Sequence, residues 1–203
     1  MISKRIVMVN TILLLLFILV SSDLISQEKV QKNDFRNSKW GTKKDKVLST
    51  EKNKPLEAEP LDQYFVVIYT GEVAGLKAYY RYSFLDDVLV KGGYALKEKH
   101  TNKNEYIEDY IKLKEVLTRK YGSPIKSDIR WYSNLYKMRL EDYGLAVSIG
   151  HLAFISEWET DRTLIRLTLK GDNYSINMGI IYTSKIHKEL IDKAKNKSEE
   201  QGL

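Results

Sequence analysis

From Lys77 to Phe84 the chain alternates without a break. Ala78, Tyr80, Tyr82 and Phe84 fall on one side of an extended backbone, and Lys77, Tyr79, Arg81 and Ser83 fall on the other. A period of two is the pattern of a strand with one buried face. Asp86-Asp87 then turns the chain, and Val88 to Lys97 returns antiparallel. The same beat recurs near the C-terminus. Ile165, Leu167 and Leu169 alternate with Arg166, Thr168 and Lys170; Gly171-Asp172-Asn173 turns; Ile176, Met178, Ile180 and Tyr182 alternate back.

Around these hairpins the pattern changes period. Asn102 with Glu105 opens a helix, and Tyr106, Tyr110, Leu113, Leu117 and Tyr121 recur at helical spacing up to Gly122 and Pro124. Thr42 with Asp45 predicts a shorter helix through about Glu51, stopped before Pro55, with a loop from Pro55 to Asp62. Tyr64 to Tyr69 reads as a strand, and Ile125 to Ser133 starts a second set with Trp131 on one face. Gly92-Gly93 suggests a bulge or a close approach. Residues 141–150 fit either element: Leu145, Ile149 and Leu152 suit a helix, while Leu145, Val147 and Ile149 suit a strand. The fold class this implies is α+β, an antiparallel curved sheet with helices packed on one face. Val47 to Pro55 also lines up with Val116 to Pro124, and each is followed by strand candidates, which allows two α-then-β units.

Ahead of all this stands a segment of different character. Lys4 and Arg5 precede an uncharged stretch from Ile6 to Ser22, and small residues follow at Ser21, Ser22 and Ser26. That is the layout of a secretory signal peptide over residues 1–26; a retained N-terminal membrane anchor is the alternative. Export to the periplasm or the extracellular space is the expectation in both cases. A polar linker over 27–37, one α+β domain over 38–183 and a charged C-terminal helix or tail over 184–203 complete the division.

With no cysteine among 203 residues, disulfides, thiolate metal sites and a cysteine nucleophile are excluded. Loss of the first 26 residues removes two cations and one anion and leaves a net charge of +5. Lys39, Lys43, Lys44, Lys46, Lys52 and Lys54 are the one basic cluster, and Asp45 and Glu51 interrupt it, so a solvated face is the simpler reading and no nucleic-acid partner is expected. His100, His151 and His187 stand far apart in sequence, and no nucleophile elbow, phosphate loop or zinc motif is present. Among catalytic candidates, His151 is the best single base, and Glu157, Glu159 and Asp161 flank Trp158 as a glycosidase pair would. Each has a plainer reading, a packed histidine and a solvated strand edge. Asp86-Asp87 and Asp172-Asn173 read as turns before they read as calcium ligands. Tyr69 and Tyr79 beside Lys77 and Arg81 offer a surface for stacking sugars or a partner, although strand propensity alone accounts for most tyrosines. Asn173 and Asn196 head glycosylation sequons.

Phe35-Arg36-Asn37-Ser38-Lys39-Trp40-Gly41-Thr42, followed by Val47, resembles the W-G-x-[ST]-x-x-x-V opening of uncharacterised exported bacterial proteins. Lys120-Tyr121-Gly122-Ser123-Pro124 is similar to the end of their second helix. More distantly, the layout resembles small outer-membrane assembly lipoproteins and the β-lactamase-inhibitor-like fold. The resemblance implies an exported binding or structural module of the envelope and carries over no active site. A protein or envelope component is the expected partner, with no cofactor, metal or catalytic residue assigned. An envelope hydrolase near Trp158 or His151 and an inhibitor-like domain remain as alternatives.

Overall fold

The computed structural model describes residues 33–201. The signal-peptide or anchor reading of 1–26 therefore lies outside the described residues. No helix among the described residues is long and apolar enough to cross a membrane.

In chain order the elements are α1 (Lys44–Leu48), β1 (Glu57–Leu61), β2 (Tyr64–Val73), β3 (Leu76–Leu85), β4 (Val88–Leu96), α2 (Glu105–Tyr121), β5 (Lys126–Trp131), α3 (Tyr143–Ser148), β6 (Leu152–Glu159), β7 (Thr163–Asp172), β8 (Ser175–Ser184) and α4 (Lys188–Gln201). The eight strands form one antiparallel sheet in the order β1-β2-β3-β4-β8-β7-β6-β5. The protein is α+β, with strand predominating. The first half of the chain runs α1 and then four strands, the second runs α2, β5, α3 and then three strands, and β4 and β8 meet at the centre. Along β4 and β8, Gly92 opposes Tyr182 and Tyr94 opposes Ile180.

The period-two runs form strands for the reason their pattern gives. Val67, Tyr82, Ile165 and Leu167 point to one face and are fully or almost fully buried there. Asp86 and Asp87 both take positive φ, 47° and 65°, which is the two-residue turn whose twist matches a hairpin. At the other hairpin the strands run two residues further than their alternation suggested. Asn173 and Tyr174, at φ 48° and 64°, make that turn. Val90 is the extra residue of a bulge, because Ser83 pairs with Lys91 while Phe84 pairs with Leu89. Gly92 answers a different need: the Phe35 ring lies where its Cβ would be, with a ring carbon 2.2 Å away.

Several expectations change. The loop over 55–62 contains β1, an all-exposed edge strand with no alternation to betray it. Residues 141–150 resolve as helix: α3 follows a short 3₁₀ turn at Leu140–Asp142. Asn104 holds this helix by accepting from the Gly144 N–H at 2.6 Å and donating to the Glu141 carbonyl at 2.8 Å. No side-chain cap from Thr42 starts α1. The Lys44 N–H donates instead to the Asp87 carbonyl, and Gly41 and Thr42 bond to Leu89 on β4. α2 ends as read, with Gly122 at φ 85° and its N–H on the Thr118 carbonyl.

Of the span read as a polar linker, residues 33–37 belong to the folded unit and the rest lies outside the described residues. Asp34 and Phe35 are buried, and Arg162 grips the Asp34 carboxylate through Nε at 2.9 Å and Nη2 at 3.0 Å. Helices also occupy both faces rather than one. Val47 of α1, Leu113 and Leu117 of α2, and Ala146 and Val147 of α3 join the main core. α4 lies on the opposite face: Ile191 and Ala194 pack with Leu85 and Val90, and Leu85 points away from its core neighbour Phe84.

Candidate binding surface on the open face

The main core holds one conspicuous polar cluster. Glu51, just past α1, receives Tyr80 Oη on Oε2 at 2.8 Å, Tyr82 Oη on Oε1, and Arg36 Nε at 3.2 Å. The Arg36 guanidinium also lies 3.7 Å over the Tyr80 ring. Burial pushes the Glu51 carboxyl up, but the hydrogen bonds from Tyr82, Tyr80 and Arg36 outweigh it and hold it below the usual carboxylate range. Burial, reinforced by the carboxylate, raises both phenols well above their ordinary value. Both carboxylate oxygens are occupied and only 5% of the side chain is exposed, so the cluster is a lock on the N-terminal turn. The sequence carried a hint of it, since two phenols on one buried face need a shared partner.

His100 is a second cluster that sequence spacing missed. Its Nδ1 lies 2.9 Å from Glu105 and its Nε2 2.7 Å from Asp109, and its ring meets Tyr106 edge-on. It fastens the approach loop to the first turns of α2.

The catalytic candidates do not converge. Trp158 is fully buried in the core, whereas Glu157 and Glu159 project from the other face by strand alternation. Glu157 is paired with Arg166 at 2.7 Å, and Glu159 is paired with Lys185. His151 stands six residues before Glu157 along extended chain, a separation of about 20 Å by strand rise. Its buried Nδ1 has no protein partner, and its ring lies beside Tyr136. No cluster of three potential metal-ligating side chains occurs among the described residues.

Tyr69 and Tyr79 are separated as well. Tyr69 pairs in register with Tyr80, so both face the core, where their rings stack at 5.2 Å. Tyr79 stays on the open face with Lys77 and Arg81, under Lys97 Nζ at 4.3 Å. Of the basic cluster near α1, Lys44 pairs with Asp87 and the remaining lysines are exposed.

The open face itself is shaped by what its middle strands lack. Register places Tyr79, Ala95, Gly179 and Thr168 in one row across β3, β4, β8 and β7. Arg81, Gly93, Ile181 and Arg166 form the adjacent row. Three of the four residues contributed by β4 and β8 are glycine or alanine, so the floor is bare backbone with taller side chains on both banks. Gly93 and Gly179 have no space for a Cβ, which would lie 2.9 Å and 2.7 Å from the carbonyl oxygens of Ile180 and Tyr94. One depression of about 530 Å³ runs between Leu56, Ile68, Tyr79, Arg81 and Ile181. A second, of about 580 Å³, continues past Lys126, Arg130 and Ile155, and Thr168, Lys170 and Ile181 belong to both.

The charges around this trough are unequal. Arg130 and Arg166 are paired with Asp128 and Glu157. Arg81, Lys126 and Lys170 line it without an ion pair among the described residues. The arrangement can hold an anion at Arg81 and Lys170 and a flat or apolar group on the glycine–alanine floor.

Comparison with known proteins adds no constraint on this site: no family model, no curated protein and no solved structure matches the chain. The Trp-Gly opening also departs from the pattern it resembles, since Thr42 follows Gly41 directly and Lys43 holds the Ser/Thr position. In this fold the opening is a tie. Trp40 Nε1 donates to Thr163 Oγ1 at 2.8 Å, and Gly41, at φ 82°, has the His187 ring 3.1 Å from where a Cβ would sit.

Proposed function

We propose that this chain is an exported module of the cell envelope that binds its ligand without transforming it, and that the trough on the open sheet face is where it binds. The observation that carries the reading is the pairing of a side-chain-poor floor with cations that have no ion pair among the described residues. Such a surface suits an anionic ligand with a flat or apolar body. The positive start at Lys4 and Arg5 and the apolar run behind it support export, and residues 1–26 are read as its signal. The fold is read as two α-then-β units, supported by the helix that precedes four strands' worth of sheet in each half and by their meeting at β4 and β8, although α3 interrupts the second half between β5 and β6. The helix ends that align in sequence do not align as ends, because α1 stops at Leu48 whereas the matching Leu117 lies inside α2.

The test uses anilinonaphthalene sulfonate, an anionic aromatic probe, and its uncharged analogue phenylnaphthylamine. The native chain is expected to bind the anionic probe saturably, and Arg81→Ala with Lys170→Ala to weaken it at least tenfold while leaving the neutral probe unchanged. Equal affinity for the anionic probe in native and variant chains removes the trough from the proposal. Mass spectrometry of the exported chain tests the address, and an intact N-terminus retaining residues 1–22 would refute cleavage.

A further inference from the structure

The two edges of the sheet are built differently. β1 carries Glu57, Glu59 and Pro60, and acidic residues and proline are the usual protection against another strand docking. β5 has no proline, and its charges are of both signs, Lys126 and Arg130 with Asp128 between them. Its residues Ile125 and Ile129, just before and within the strand, are 60% and 59% exposed. Ile111 on α2 is 49% exposed, and the adjacent turn of that helix is tied to β5 through Lys114 Nζ and Ser127 Oγ at 2.7 Å. Ile111 stands one turn before Lys114 on the same helix. Among the described residues, this edge has no strand beside it and carries exposed isoleucines, the combination that protein edges otherwise avoid.

The hydrogen bonds of β5 say which groups are free. The Tyr132 N–H donates inward to the His151 carbonyl at 2.8 Å. Alternation along an antiparallel ladder then turns Arg130 and Asp128 inward as well, and leaves the backbone groups of Ser127, Ile129 and Trp131 pointing off the sheet. Ile129 is the midpoint of those three.

We propose that β5 is a homodimer edge, at which β5 of a second copy pairs antiparallel about a two-fold axis through Ile129. This register matches Ile129 with Ile129 and Ser127 with Trp131, so every outward backbone group gains a partner. It also sets Asp128 of each copy opposite Arg130 of the other, an opposite-charge pair made twice. Centring on Asp128 would place Asp128 against itself and Lys126 against Arg130. Centring on Ser127 would leave Trp131 unpaired. The axis keeps both α2 helices on the same side of the joined sheet. Lys126 and Arg130 of β5 also line the far end of the trough, but the binding proposal rests on Arg81 and Lys170, so neither proposal needs the other.

The absence of native cysteine makes the test direct. Residues facing each other in a hydrogen-bonded antiparallel pair have Cα atoms about 5.5 Å apart, within disulfide range. Full-length chains bearing Ile129→Cys, Ser127→Cys or Glu59→Cys are oxidised gently and resolved without reductant. Ile129→Cys is expected to give a covalent dimer at least tenfold faster than the other two, and Glu59→Cys reports association by any other route. Asp128→Arg added to Ile129→Cys should slow cross-linking at least tenfold, and Asp128→Arg with Arg130→Asp should restore it. Cross-linking of Ile129→Cys no faster than Glu59→Cys overturns the dimer. Preferential cross-linking of Ser127→Cys overturns the register, and so does failure of the charge exchange to rescue.

Discussion

Arg162 holds Asp34 in a two-bond fork across 128 residues of sequence. The same carboxylate accepts the Trp40 N–H at 2.9 Å, so one buried anion organises the N-terminal turn and fastens it to the β6–β7 hairpin. Removal of the guanidinium in Arg162→Ala leaves Asp34 buried with a single donor. Its expected cost is about 1–2 kcal/mol, near the low end for charged hydrogen bonds because Arg162 is half exposed. Urea unfolding measures it, and an unchanged midpoint would show that the fork contributes nothing.

Glu51 makes stability depend on acid. Its carboxyl is lower in the folded chain than when unfolded, so its contribution is complete above the unfolded value of about 4.3 and disappears as pH falls through the folded one. Glu51→Gln should therefore be less stable than the native chain at pH 7, with the gap narrowing on acidification below about pH 4. Chemical denaturation at a series of pH values tests this. A gap that stays constant down to pH 2 would mean the carboxylate charge plays no part.

Buried phenols give the opposite slope. Burial pushes Tyr110 up to about 12, partly opposed by its hydrogen bond with Ser156, and burial also raises Tyr80, Tyr82 and Tyr182. Their contribution is present below pH 10 and is lost as pH rises through the folded values. Absorbance titration should show these phenols ionising only together with unfolding. Reversible ionisation of all 14 tyrosines by pH 11, with circular dichroism unchanged, would contradict that.

Phe35 and Gly92 form a matched pair of large and absent side chain. Gly92→Ala should destabilise by about 1–3 kcal/mol through overpacking against the ring. In Phe35→Ala the added methyl should become nearly neutral, a non-additivity that a double-mutant cycle reads directly. Additive losses would place the strain elsewhere.

What could be read beforehand follows from what each feature depends on. α2, the β3–β4 hairpin and the β7–β8 hairpin announce themselves through local periodicity and turn residues. β1 does not, because an exposed edge strand needs no apolar face. The Arg36–Glu51–Tyr80–Tyr82 lock and the Asp34–Arg162 fork depend on strand order, which no local pattern encodes. Tyr69 was misplaced because a strand's parity is fixed only by its partner, here Tyr80. The trough left the faintest trace, since Gly93, Ala95 and Gly179 mark it by what they lack.

The pairing of β4 with β8 has one more consequence. β8, the last in sequence of the described strands, is seated in the middle of the sheet rather than at its rim. A stop codon anywhere ahead of Ser184 deprives the molecule of a central plank, and the two four-stranded halves lose the β4–β8 ladder that joins them. Late truncations should therefore be as damaging as early ones, and assembly of the sheet waits on a contact between distant stretches of chain, a slow kind of closure.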